Sequence, residues 1–92
     1  MSRAAHLAIR GLVQGVGYRD WTLRKARELG LSGWVRNRLD GSVEAVISGT
    51  DTLVAGMIGD CHSGPAGAHI DTIDVTPWTD PVPTGFEIRK TG

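Results

Sequence analysis

Gly33-Trp34-Val35-Arg36-Asn37-Arg38-Leu39-Asp40-Gly41-Ser42-Val43-Glu44-Ala45-Val46-Ile47-Ser48 reads as a β-hairpin near the middle of a 92-residue chain. The first arm is Gly33 to Asn37. The second is Ser42 to Ser48, with Val43, Ala45 and Ile47 on one face at the period of two expected of a half-buried strand. Leu39-Asp40-Gly41 supplies the turn, because Asp and Gly tolerate the positive φ of tight hairpins. What flanks the hairpin on each side decides the fold.

Before it, His6 to Val13 reads as a strand with Leu7, Ile9 and Val13 on one face, and Gln14-Gly15-Val16-Gly17 reads as a loop. Asp20 to Leu29 then reads as a helix. Thr22, Ala26 and Leu29 share its inner face, Tyr18 or Trp21 can extend that face, and Gly30 suits the C-terminal cap. After the hairpin, Thr50 or Asp51 can cap a second helix whose apolar stripe is Val54, Met57, Ile58 and Cys61. Gly64-Pro65-Ala66-Gly67 ends that helix. Ile70, Ile73 and Val75 mark another strand with Trp78 at its end, although Ile70 breaks strict alternation. Pro77, Pro81 and Pro83 mark an irregular link to a short final strand, Gly85 to Arg89. The expectation is therefore one α+β domain over residues 1–92. It is a ferredoxin-like βαββαβ sandwich: an antiparallel sheet, two helices on one face and a short extra C-terminal strand. Such a fold hosts many unrelated activities.

Composition narrows the function. Lys plus Arg and Asp plus Glu each number 10. The zero net charge argues against a general polyanion binder, whose affinity comes from many cationic contacts. The single cysteine, Cys61, cannot form an internal disulfide, so nothing requires an oxidising compartment. No apolar run suits a signal peptide or a membrane span. A soluble cytoplasmic protein is the expectation.

Two stretches carry candidate chemistry. In Gly11-Leu12-Val13-Gln14-Gly15-Val16-Gly17-Tyr18-Arg19 a strand ends, a glycine-bearing loop turns, and a helix starts after an arginine. Glycines let successive N–H groups point inward, a helix start adds free donors, and a guanidinium fork matches phosphate oxygens. A plain turn with a surface arginine fits the same spacing. In the hairpin, Asn37 stands before the turn. Its amide can donate and accept at once, which suits orienting a water, and it can equally bond nearby backbone.

Taken together, the two stretches resemble the G-x-V-Q-G-V-x-[FY]-R and G-x-V-x-N-x-x-D-G-x-V-E segments of the acylphosphatases. Gly64-Pro65 and Gly85-Phe86-Glu87-Ile88-Arg89 also look like features of that family, and the resemblance covers essentially the whole chain. It implies a hydrolase that splits the carboxyl–phosphate bond of small acyl phosphates into carboxylate and inorganic phosphate. The backbone of Gly15, Val16, Gly17, Tyr18 and Arg19 would wrap the phosphate. The Arg19 side chain would bind its oxygens, and Asn37 would place the water for in-line attack. The resemblance further implies no metal and no covalent intermediate. With the charge balance and the lack of a long apolar run, the expectation is a monomer without cofactor and without a nucleic-acid or membrane partner. Two departures stand out. Tyr18 occupies a position where phenylalanine is common, so its hydroxyl needs a partner. Asp20 follows the arginine directly; turned inward it would compete for Arg19, and turned outward it suits the helix dipole.

The remaining candidates read as structural. His6, His62 and His69 lie on separate elements without metal-site spacing. Cys61 sits on an apolar stripe, Glu44 is expected to point outward, and Arg36 and Arg38 read as solvated strand charges. Trp34 and Trp78 read as packing or edge-cover residues. Two other functions use a similar scaffold. One is a non-catalytic anion-binding module, as in larger hydrogenase-maturation proteins that handle carbamoyl phosphate. The other is an RNA-recognition motif, but the third strand lacks the stacking aromatics that such a sheet needs.

Overall fold

The computed structural model describes residues 1–92. The elements are β1 (Ser2–Leu12), α1 (Tyr18–Glu28), β2 (Ser32–Asn37), β3 (Val43–Thr50), α2 (Asp51–Cys61), β4 (His69–Pro77) and β5 (Phe86–Ile88). The five strands form one sheet in the order β4-β1-β3-β2-β5. The α+β class and the ferredoxin-like order agree with the sequence expectation.

One detail is corrected. The sheet is mixed, because β5 pairs parallel with β2, Gly33 standing opposite Phe86. The other three pairings are antiparallel. The chain leaves β4 at one edge and crosses below the sheet through the proline-bearing link. It then rises beside β2 in β2's own direction. Strands β1, β2 and β5 therefore all end on the same side of the molecule, and this brings three distant segments together there.

Both helices cover one face. Leu7, Ile9, Val35, Val43, Ala45 and Ile47 from the sheet share a single buried cluster with Tyr18 and Ala26 of α1 and Val54, Met57 and Cys61 of α2. This is the packing that the strand alternation and the helix stripes call for. Ile58 and Leu29 are half-buried at the margin. Helix α1 begins at Tyr18, two residues before the expected start at Asp20. At α2, Thr50 is the cap, its Oγ1 accepting from Leu53 N–H at 3.4 Å. Ile70 breaks alternation because Thr72 pairs with Arg10 while Ile70 pairs with Gly11, leaving Asp71 as an extra residue. A bulge of this kind returns the following side chains to their proper faces. In the hairpin turn, Asp40 accepts from Ser42 Oγ at 2.6 Å and Ser42 N–H at 2.9 Å. Those bonds hold the exposed Asp40 carboxyl below its usual range.

The opposite face carries no helix. There Trp34 is buried, with the Trp78 ring edge-on at 6.1 Å and the guanidinium groups of Arg36 and Arg89 at 5.4 and 4.8 Å from its centre. These are cation–π distances, and the two tryptophans cover the sheet as packing residues should. His6 stacks on Trp78 at 5.6 Å.

Candidate active site

The ends of β1, β2 and β5 surround a cleft of about 330 Å³. Val13, Gly15, Gly17, Tyr18 and Arg19 come from the segment after β1, Asn37 from the end of β2, and Ile88 from β5. The structure thus brings together Arg19 and Asn37, the two residues singled out as catalytic. Of the loop residues expected to wrap a phosphate, Gly15, Gly17, Tyr18 and Arg19 line the cleft. Val16 does not; it packs partly buried against the core.

The loop backbone depends on its glycines. Gly15 and Gly17 adopt φ of 75° and 81°, a region that L side chains enter only at a cost. Gly17 is also the N-cap of α1, without a side-chain cap. From Gly15 to Asp20 no backbone N–H donates to a protein acceptor. The first engaged donor is Trp21, which bonds Gly17 O at 3.0 Å. Six consecutive free donors leading into a helix start supply partial positive charge.

The Arg19 and Asn37 side chains are also unengaged. Arg19 is half-buried and makes no hydrogen bond or ion pair within the protein, whereas Arg10, Arg36, Arg38 and Arg89 all pair with carboxylates. The Asn37 amide likewise bonds no other residue, and its Oδ1 is buried without a partner. A buried acceptor left unpaired costs about 1–3 kcal/mol, and such groups gather where a ligand or water completes them. The Asn37 backbone, by contrast, is fixed. It lies opposite Val43 on β3, and its carbonyl accepts from Gly92 N–H at 3.1 Å.

Sequence reading overlooked two supports of this geometry. Gln14 stands in the loop motif, where spacing gives its side chain no partner. Its Nε2 donates to Arg38 O at 2.8 Å and Ser42 O at 2.9 Å, tying the glycine loop to the hairpin that bears Asn37. The second support is Glu44, which stands on the outward face as expected and is fully engaged there. It takes His6 Nε2 at 2.7 Å, Arg36 Nε at 2.7 Å and Arg38 Nη1 at 3.2 Å. Burial works to raise the Glu44 carboxyl, but these donors outweigh it and hold the group below its usual range. The same bonds correct the reading of Arg36 and Arg38 as solvated charges. With both neutralised, Arg19 is the only arginine lining the cleft and is free to meet an anion.

The Tyr18 hydroxyl has found its partner. It donates to Cys61 O at 2.7 Å, satisfying a carbonyl at the end of α2 that has no helical donor. Burial keeps this phenol un-ionised far above its ordinary range. Its ring lies against Gly64, where an added Cβ would come within 2.6 Å of Tyr18 Cε2. That close approach accounts for the glycine of Gly64-Pro65. Burial pushes the Cys61 thiol up to about 11, which makes it an inert core group rather than a nucleophile. A Tyr18→Phe variant is expected to lose about 1–2 kcal/mol of stability, read from urea unfolding, with little change in turnover.

Asp20 is exposed and makes no ion pair with Arg19, so it does not compete for the guanidinium. It nonetheless lies at the rim of the cleft. His6 and His69 each face a single carboxylate, Glu44 and Asp71, and His62 is exposed at the end of α2.

Comparison with known proteins agrees with this geometry. The acylphosphatase family model matches residues 5–88. An acylphosphatase of Azorhizobium caulinodans is 50% identical over 92 residues, 99% of each chain. The structure of an acylphosphatase from Coxiella burnetii superposes with a TM-score of 0.91 at 30% identity, over 96% of this chain and 93% of that one. Full-length HypF, in a phosphate- and nucleotide-bound form, contains a region similar to 99% of this chain at 26% identity and a TM-score of 0.90. That region is 12% of HypF.

Proposed function

The chain belongs to the acylphosphatase family and hydrolyses acyl phosphates, and on that premise we propose that Arg19 and the N–H groups of Gly15 to Arg19 hold the phosphate while Asn37 places the attacking water. One observation carries this reading. Free loop donors, an unpaired guanidinium and an unpaired Asn37 amide share one cleft. Phosphoryl transfer is mostly positioning and charge stabilisation, so few groups suffice. The guanidinium fork binds two phosphate oxygens and offsets charge as the carboxylate departs. The leaving carboxylate belongs to an acid of pKa about 4 and needs no strong general acid. The products are the carboxylate and inorganic phosphate, formed by in-line attack without metal or phosphoenzyme. We take Val16 as a backbone contributor and residues 1–92 as one catalytic domain. We further take the chain to act as a cytoplasmic monomer without nucleic-acid or membrane partners. No helix is long and apolar enough to cross a membrane.

Hydrolysis of benzoyl phosphate in ¹⁸O-labelled water, with a chelator present, tests the direction of attack. The expected result is label in inorganic phosphate and none in benzoate. Label in benzoate would mean attack at the carbonyl and would overturn the assignment of Asn37.

A further inference from the structure

Only two formally charged side chains line the cleft, Arg19 and Asp20. Arg19 is matched to the phosphate. Asp20 has no evident task there. It is exposed at the rim, on the first turn of α1, and no Lys, Arg or His lies within ion-pair distance of it. Its charge is therefore uncompensated, in contrast to Glu44, which draws three cationic or hydrogen-bonding partners. Walls at Val13 and Ile88 add apolar surface and no second cation. With phosphate seated on the loop and water on the Asn37 side, in-line geometry sends the leaving acyl group away from Asn37. The exposed rim of the cleft carries one charged side chain besides Arg19, that of Asp20.

We infer that Asp20 is a specificity-determining residue, which disfavours acyl phosphates with an anionic acyl group and favours neutral or cationic ones. The inference rests on the assignment of this cleft as the acyl phosphate site. Its physical basis is Coulombic. Every acyl phosphate carries the same phosphate charge past Asp20, so that repulsion is common to all substrates. A further carboxylate on the acyl part adds a second repulsion, and an ammonium adds an attraction. A carboxylate in the first turn also suits the helix dipole. That role alone would affect all substrates equally, and the two can be separated.

The test compares kcat/KM for benzoyl phosphate, 4-carboxybenzoyl phosphate and 4-(aminomethyl)benzoyl phosphate. These rigid substrates differ in charge at one distant position and cannot cyclise. Wild type, Asp20→Asn and Asp20→Glu are assayed on each. Taking the variant-to-wild-type ratio for each substrate cancels its intrinsic reactivity. For Asp20→Asn, the ratio for the carboxy substrate is expected to exceed that for benzoyl phosphate by about 3- to 10-fold. The ratio for the aminomethyl substrate should fall below it. Asp20→Glu keeps the charge and should keep the wild-type preference. The contrast should shrink in ~0.5 M salt, where the Debye length falls to about 4 Å. Equal ratios for all three substrates would overturn the inference and leave Asp20 a helix-terminus residue. If the folded wild type hydrolyses none of them, the assignment of the cleft fails, and the inference with it.

Discussion

Arg19→Ala is expected to lower kcat/KM for a synthetic acyl phosphate by at least ~10²-fold, while the protein keeps its fold and nearly all its stability. The two halves of this expectation have one cause. Arg19 bonds nothing in the protein, so truncation orphans no buried partner. Surface-type changes of that kind stay within about 0.5 kcal/mol. The same absence of partners leaves the guanidinium wholly available to substrate, and a hundredfold loss corresponds to about 2.7 kcal/mol of transition-state stabilisation. Lysine should rescue only part of it. The ammonium restores charge but not the planar fork that meets two oxygens together. Circular dichroism and urea unfolding alongside the kinetics separate a lost contact from a lost fold.

Asn37→Ala is expected to cost a similar factor by a different route. Its backbone is held between Val43 and Gly92, so substitution should leave the strand in place. Its amide makes no hydrogen bond to another residue, and what is lost is the orientation of the water. The loss should fall on kcat, with KM little changed, because water placement is not substrate binding. Asn37→Asp is expected to be at least as damaging. It is nearly isosteric, but it sets a negative charge against a phosphate. Wild-type rates with Asn37→Asp would mean that the amide's donor group has no role.

Much of this architecture is legible in the sequence because it rests on local patterns. The hairpin shows in Val43, Ala45 and Ile47 with Asp40-Gly41 before them, and α2 shows in Val54, Met57, Ile58 and Cys61. The helix boundary at Tyr18 is not legible because Gly17 caps α1 without a side-chain signal. What escapes is non-local. β5 spans three residues, too short for alternation to reveal its partner or its direction. The bulge at Asp71 leaves only a break in spacing at Ile70. Glu44 alternates as an outward residue should, yet the outward face is where Arg36 stands opposite it and His6 reaches across from β1. Arg19 and Asn37 were legible through family resemblance more than through spacing, since a glycine loop and a turn-adjacent asparagine have ordinary structural uses. Gln14 shows the limit most clearly. Its partners, Arg38 O and Ser42 O, belong to the hairpin turn, and nothing in the loop itself points to them.

The division of labour between Arg19 and Asn37 is tested most directly by inorganic phosphate as a probe of the loop alone. Phosphate binding to wild type, Arg19→Ala and Asn37→Ala can be followed by amide chemical shifts of Gly15 to Arg19. The expected result is saturable shifts in wild type, near-wild-type affinity in Asn37→Ala, and affinity weakened at least ~10-fold in Arg19→Ala, consistent with loss of a charge-assisted bidentate contact. Undiminished phosphate binding in Arg19→Ala, or binding abolished in a folded Asn37→Ala, would contradict the assignment of the two residues to phosphate and water.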